Sequence, residues 1–550
     1  MRKALIIGNE NYYPTQQKLS NPINDAALIS EVLGYKGFQV TIHYDLNNSG
    51  MNYYFQSFCD TINEGDDVVF YFAGHGIEYR DVNYLLSVDF HQLDVNTSIS
   101  LDNIQKFLFG KNKTGLKLII IDACRNNPGL LEAPPAQNIK TNNNVLIAYS
   151  TSSGNTAKDG RNGNSLYTKL LAENIKNYNQ TLSTIFSKTR EEIILKTNFS
   201  QIPWEYSSLL ESKSFSFDNI KAPLKLTRII KNSFSQAYAM KCFEDVIIVA
   251  GDSKYLNFFI ISSSTVKSKT FDFGRDFKVI ESIDFNDKYF ILVTDIDTFY
   301  LFDINGVKIK EVQLDHSLFT TLINEYNVAF FAGMSHLIYI FDTNSGDMSA
   351  IDIRSEILRK IYDRDDMVNF TCSRLTIMSM SCQIVNPNIL AFGGNNSVFC
   401  VKNLENDAYL FINTDREIFS DTYSICFSND GRYMATGHEN GKCILWNAEN
   451  YQILNIFKTN ENIVKNQFFE FTDEMHSNYI PCVRFTPDSK VLAISTSESS
   501  VIFYDTYYFK TIDSINLNIE PFPIYGMEFN KGGDSLVVSM KEKSYIFCRS

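Results

Sequence analysis

Two short segments hold the side chains best suited to covalent chemistry. The run VVFYFA leads into Gly74-His75-Gly76, and LKLIII leads into Asp122-Ala123-Cys124-Arg125. A thiol is a weak nucleophile until a nearby imidazole favours its thiolate. Within reach of each other, the His75 imidazole would favour the thiolate of Cys124 and make it a nucleophile. Each residue alone has a bland reading: a lone Cys after a buried strand is a small hydrophobe, and a lone His is structural. Their joint placement at two strand ends favours catalysis. The glycines around His75 let a substrate backbone approach and free amides to point inward. The other cysteines, such as Cys59 in an amphipathic helix, read as core.

For the pair to meet, their strands must be neighbours in one parallel sheet, where ligands bind outside the carboxyl ends. The first ~215 residues carry the pattern of such an α/β unit. Strands are expected at 3–7, 38–44, 68–73, 116–121 and 145–149. Asn21-Pro22 opens a helix, with Asn as cap and Pro at the first helical position. Ala26, Ile29, Val32 and Leu33 give that helix its apolar stripe. Further helices are expected at 53–62, around Ile104, Phe107 and Leu108, and at 166–175 and 182–195.

Composition narrows the class. The chain has 550 residues, with 50 Lys and Arg against 63 Asp and Glu and a net charge of −13. That balance argues against a nucleic-acid-binding body. Ten scattered Cys, with no C-x-x-C pair, suggest neither a zinc site nor a disulfide framework and fit a reducing, cytosol-like compartment. The apolar run after Met1-Arg2-Lys3 is too short for a signal peptide, and no stretch approaches the ~20 residues that span a bilayer. The expectation is a cytoplasmic chain that binds neither membrane nor nucleic acid.

Beyond Phe217 helical periodicity gives way to short β-rich runs. Four of them end in an aromatic followed by Asp or Asn: Phe302-Asp303, Phe341-Asp342, Trp446-Asn447 and Tyr504-Asp505. The best copy, residues 424–446, reads SICFSNDGRYMATGHENGKCILW. It resembles the WD-repeat family of β-propellers, whose blades run about 40–45 residues. Weaker copies place equivalent strand ends near Ser262, Asn403 and Arg549, which makes seven blades. The last blade stops after its third strand, so residues 224–231 are expected to supply the outer strand and close the ring, removing unpaired edges. Insertions at 354–375 and 458–478 both follow an outer strand and should emerge on one face. Insertions gathered on one face mark a binding surface or are merely tolerated loops.

The first part also resembles a known family. ALIIGNENY, NPINDA, FYFAGHG, IDACRNNP and AYSTSSGNTAKDGRNGNSLYT together are similar to the caspase-like cysteine peptidases, in the bacterial caspase-like and metacaspase branch. The resemblance covers residues 1–215, with a large-subunit part over about 1–128 and a small-subunit part over about 145–215. A linker at 216–223 and the propeller at 224–550 follow. The fold class implied is an α/β caspase-like domain followed by an all-β seven-bladed WD-repeat propeller.

The resemblance implies a His75–Cys124 dyad, with the amides of Gly76 and Cys124 as oxyanion hole. Classical caspases hold an acidic P1 side chain with Arg and Gln, the Gln lying two residues before the nucleophile; here that position is Asp122. Asp25 of NPINDA matches a second acid of metacaspases, and Asp159 is a third candidate. Carboxylates in the P1 pocket repel acids and pair with Arg or Lys, so cleavage after Arg or Lys is expected. The alternatives are that Asp25 only complements a helix N-terminus and that Asp122 only caps a strand end. Metacaspases often need calcium, and Asp89 matches one of their carboxylates, but no full set of oxygen ligands can be assembled and no metal or cofactor is assigned. In the connecting loop 129–144, Lys140 is a candidate processing site.

The function implied is a cysteine endopeptidase acting on protein or peptide substrates. Its propeller would recruit a substrate, activator or regulatory partner on the face carrying the two insertions, in a defence or cell-death setting by the habits of the family. The alternatives are a caspase-like interaction scaffold without proteolysis, and a transferase using the same thiol.

Overall fold

Near-continuous apolar runs, the mark of strands buried on both faces, line up as one sheet in the first part of the chain. The computed structural model describes residues 1–13, 18–79, 82–90, 98–123, 144–151, 163–178, 180–209, 215–217, 224–243, 246–261, 266–272, 278–354, 376–395, 398–412, 420–458, 479–517 and 522–549. Two compact units emerge, Met1–Ile220 and Lys221–Ser550.

In the first unit the elements follow in order: β1 (Arg2–Gly8), α1 (Pro22–Tyr35), β2 (Gln39–Tyr44), α2 (Asn48–Thr61) and β3 (Asp67–Gly74). Next come β4 (Gly76–Tyr79), β5 (Val82–Leu86), β6 (Ser98–Ser100), α3 (Leu101–Lys111) and β7 (Lys117–Ala123). The unit continues with β8 (Val145–Tyr149), α4 (Leu166–Lys176), α5 (Leu182–Lys196) and β9 (Trp204–Ser207). The main sheet has the order β2-β1-β3-β7-β8-β9, parallel except for the antiparallel edge strand β9. Alternation along β1 and β3 sends Ala4, Ile6, Val69 and Tyr71 to a core shared with α1, α4 and α5. It sends Leu5, Ile7, Phe70 and Phe72 to the other face, under α2 and α3.

Local details depart from expectation. Asn21 stands at the N-cap of α1, but its side chain makes no capping bond; Pro22 follows at the helix start. Helix α2 begins ahead of residue 53, because Asn47 caps it by accepting from the Gly50 amide at 2.8 Å. The small sheet β4-β5-β6 and the edge strand β9 were not expected, being short and weakly patterned.

The second unit holds seven four-stranded antiparallel sheets among the described residues. Their innermost strands are Ala237–Phe243, Ile280–Phe285, Leu318–Ile323, Ile377–Cys382, Thr422–Phe427, Val483–Phe485 and Gly526–Phe529. Each packs against the next, and Gly526–Phe529 packs against Ala237–Phe243. The third strands end at Ile261, Asp303, Asp342, Asn403, Asn447, Asp505 and Arg549. The outermost strand of the last sheet is β10 (Leu224–Lys231), antiparallel to Lys543–Arg549. In the fifth sheet Trp446 Nε1 donates to Thr436 Oγ1 at 3.0 Å, and that hydroxyl lies 2.8 Å from His438 Nε2. Burial lowers His438 to about 4, so its ring is neutral there. The expected insertions lie, beyond their first residues Arg354 and Lys458, outside the described residues.

Candidate active site

Strands β3 and β7 are hydrogen-bonded neighbours, with Ala73 opposite Asp122 and Gly74 opposite Ala123. His75 therefore leaves the sheet from β3 beside the end of β7, the strand that Cys124 follows in sequence. Cys124 lies outside the described residues, as do Asp159 and Lys140.

His75 is held by its backbone. Its amide donates to Tyr12 Oη at 2.8 Å, and its carbonyl accepts from the Leu86 amide at 3.0 Å. The Tyr12 and His75 rings stand 4.5 Å apart, tilted by 57°. Tyr12 is 3% exposed, and burial pushes its phenol well above the usual range, so it stays protonated. Its one proton goes to Leu86 O at 3.2 Å, which leaves the oxygen lone pairs for His75. Gly74 makes the approach possible: with φ at +157°, a Cβ there would lie 2.5 Å from Tyr12 Oη and 2.9 Å from Phe72 Cζ. Asn9 ties the same region together, its amide donating to Ala73 O at 2.9 Å and its side-chain nitrogen to Leu86 O at 3.0 Å. Gly76 begins β4, opposite Leu85.

Asp25 and Asp122 converge on the start of α4. Asp25 Oδ1 accepts from the Ser165 amide at 2.8 Å and from Asn164 Nδ2 at 3.0 Å. Asp122 Oδ2 accepts from Ser165 Oγ at 2.5 Å and from Thr168 Oγ1 at 2.7 Å. Ser165 is also the N-cap of α4, accepting from the Thr168 amide at 3.0 Å. The positive end of the helix thus faces both acids. A third layer follows: because Thr168 donates to Asp122, it accepts from the Tyr71 hydroxyl 2.6 Å away.

The acids are 2% and 7% exposed, respectively. Burial, and then the charge of Asp122, raises Asp25 to about 7. Two carboxylates so placed do not both ionise without cost. The arrangement is a buried, hydrogen-bonded pair of acids beside the end of β7 and the start of α4.

Other candidates separate from this site. Asp89 accepts from the Asn48 amide at 2.9 Å, at the start of α2, and no group of three His, Cys, Asp or Glu among the described residues could hold a metal. Cys59 is fully buried, and burial lifts its thiol to about 12, the behaviour of an inert core cysteine. Sequence reasoning missed Tyr12, Asn164, Ser165 and Thr168. Ser165 carried a local signal, a hydroxyl just ahead of an apolar helix. Tyr12 carried none, because its partners lie far along the chain.

Comparison with known proteins matches residues 1–215 to the caspase domain and residues 416–447 to the WD domain, G-beta repeat. Over 153 residues the chain is 28% identical to mucosa-associated lymphoid tissue lymphoma translocation protein 1 of Homo sapiens, covering 28% of this chain and 18% of the human one. The homolog from Mus musculus matches to the same extent. Protein HIR1 of Candida albicans is 28% identical over 95 residues, 17% of this chain and 10% of its own. The chain thus spans less than a fifth of the length of these curated relatives. No helix among the described residues is long and apolar enough to cross a membrane.

Proposed function

We propose that this chain, whose residues 1–215 match the caspase domain and whose residues 416–447 match a WD repeat, is an endopeptidase that cleaves proteins after Arg or Lys. The carrying observation is the pair of buried carboxylates, Asp25 and Asp122, joined through Ser165 at the start of α4. An acidic P1 side chain would meet two like charges there. An arginine would instead bring a delocalised cation with planar, bidentate geometry, and lysine a compact one. Its arrival would also favour the ionised form of Asp25, which burial and the charge of Asp122 disfavour.

In this reading His75 draws the proton from Cys124, and the sulfur attacks the scissile carbonyl carbon. The carbonyl oxygen takes up the negative charge beside the amides of Gly76 and Cys124. Collapse of that intermediate expels the amine, which receives the proton from His75 and leaves an acyl-enzyme. Water, deprotonated by the same imidazole, then releases the carboxylate product and restores the thiol. Tyr12 holds the His75 backbone throughout. Asp159 would extend the acidic recess, and a cut after Lys140 would separate the two parts of the domain.

The second unit is read as a closed seven-bladed propeller. Support comes from its seven four-stranded sheets, the packing of the last inner strand on the first, and β10 as outer strand of the last sheet. Its part would be to bring in a substrate, activator or regulator. A cytoplasmic setting suits the eight free cysteines among the described residues.

The test uses peptides with Arg, Lys or Asp at P1, with and without calcium, on the full chain and on Cys124→Ala. Thiol-dependent cleavage after Arg or Lys, absent from Cys124→Ala, is the expected result. Cleavage after Asp would overturn the assignment of the recess. No thiol-dependent cleavage under either condition would favour a scaffold.

A further inference from the structure

Five of the seven inner strands share one irregularity. Their pairing with the second strand skips a single residue near the start, namely Tyr238, Glu281, Phe319, Met378 and Tyr423. A β-bulge leaves the extra residue out of the ladder and re-aims its side chain. Glycine makes room for three of these bulges. At Gly251, Gly333 and Gly394 an added Cβ would lie 1.8, 1.9 and 1.8 Å from the carbonyl oxygens of Gln236, Ser317 and Thr376. The bulges are therefore built into the sequence, and all five present a side chain at the same end of an inner strand.

Two tyrosines just ahead of the last two inner strands extend this set. The rings of Tyr238 and Tyr525 stand 6.3 Å apart, Tyr525 and Tyr479 6.5 Å, and Tyr479 and Tyr423 5.2 Å. The Tyr479 and Tyr525 hydroxyls are 2.8 Å apart. Four half-buried tyrosines from four neighbouring sheets thus form one arc. Glu281, on the sheet next to Tyr238, continues it and acts electrostatically on that ring.

The charge around the arc is one-sided. Asp421 and Glu439 act on Tyr423. Asp295, whose carboxylate holds the Lys278 and Val279 amides at 3.1 Å, faces Glu281. Further along the inner strands the resident cations are already matched, Lys241 with Asp284 at 3.1 Å and Arg484 with Glu528 at 2.5 Å. Glu281 pairs with no cation among the described residues, and burial together with Asp295 raises it to about 7. A cationic guest would relieve that disfavoured ionisation. Tyrosine faces attract cations as well, whereas an anion would meet several carboxylates.

We propose that this tyrosine arc, closed by Glu281, binds an arginine or lysine side chain presented by a segment of a partner protein. The inference gives chemistry to the recruiting role proposed above.

The experiment pans a display library of random short peptides on the full-length Cys124→Ala chain. Selected peptides are resynthesised with each basic residue kept, exchanged between Arg and Lys, or replaced by norleucine. A required Arg or Lys is expected, and the exchange shows which cation is preferred. Binding should weaken by about fivefold or more in Tyr238→Ala and in Glu281→Gln, and stay within about twofold in Tyr238→Phe, which keeps the ring. Should Tyr238→Ala fail to fold, Glu281→Gln and Tyr238→Phe carry the comparison. Binding kept in Asp122→Asn but lost in Glu281→Gln supports the arc. The reverse pattern would put the peptide in the acidic recess of the first unit and overturn the proposal. A dispensable basic residue, or no selected peptide at all, overturns it too. A chain that binds this way yet cleaves nothing would refute only the peptidase reading.

Discussion

Replacing Asp25 with asparagine should make the protein more stable in alkaline solution while damaging its specificity. Asp25 is lifted from an ordinary 3.8 to about 7, first by burial and then by Asp122. Below pH 3.8 the group is protonated in both states and contributes nothing. Between 3.8 and about 7 the folded state keeps a proton that the unfolded state has lost. Stability therefore falls across that window, and the loss is complete above it. The ceiling is about 4 kcal/mol, at about 1.4 kcal/mol per pH unit, and Asp122 shares part of it. Asparagine cannot ionise, yet its Oδ1 can still accept from Ser165 and Asn164. The midpoint difference between Asp25→Asn and the parent should thus be small at about pH 4 and grow towards about pH 8, reaching several degrees at roughly 2–4 °C per kcal/mol. Using the difference cancels the groups that do not interact with Asp25. In parallel, kcat/KM for an Arg substrate should rise through pH ~7 in the parent and lose that limb in the variant. A stability difference that ignores pH, or a variant that is less stable at about pH 8, would refute the reasoning and leave Asp25 a structural acid.

Three further outcomes follow from the same geometry. Gly74→Ala would drive a methyl group to within 2.5 Å of Tyr12 Oη; a melting curve should show a loss of about 1–3 kcal/mol, and cleavage should fall as His75 shifts. Tyr12→Phe removes the hydroxyl that accepts from the half-buried His75 amide, a cost of about 0.5–1.5 kcal/mol, and steady-state kinetics should show kcat falling more than KM rises. Deleting residues 224–231 bares the edge of Lys543–Arg549, so light scattering should detect association that the full chain does not show.

Much of the first unit could be read from local pattern. The strand expected at 145–149 coincides with β8, those at 3–7 and 68–73 fall within a residue of β1 and β3, and the one at 116–121 falls within two residues of β7. These strands are buried on both faces, so their composition is apolar without interruption. The start of α2 was hidden because Asn47 and the polar residues after it look like loop until the cap is seen. The strands β4 to β6 were hidden because they are too short to show a period. Four of the third-strand ends in the second unit were visible because each closes on an aromatic residue followed by Asp or Asn, at Phe302-Asp303, Phe341-Asp342, Trp446-Asn447 and Tyr504-Asp505. The bulges of the inner strands were not, since a skipped residue shows only against its partner strand.

The amino-acid order alone was enough to assign strand ends to His75 and Asp122, a helix to Asp25, and a repeating β texture to the later residues. All of that depends on neighbours within a few positions. It could not show that Asp25 and Asp122 share Ser165, or that Tyr12 holds the His75 amide. Those contacts span 140, 43 and 63 positions of chain; the first two exist because α1 and α4 pack on the same face of one sheet, the third because β1 and β3 are neighbours in it. Local propensity carries no record of that packing; the burial that raises Asp25, and with it the chemistry of the recess, arises only when the layers close.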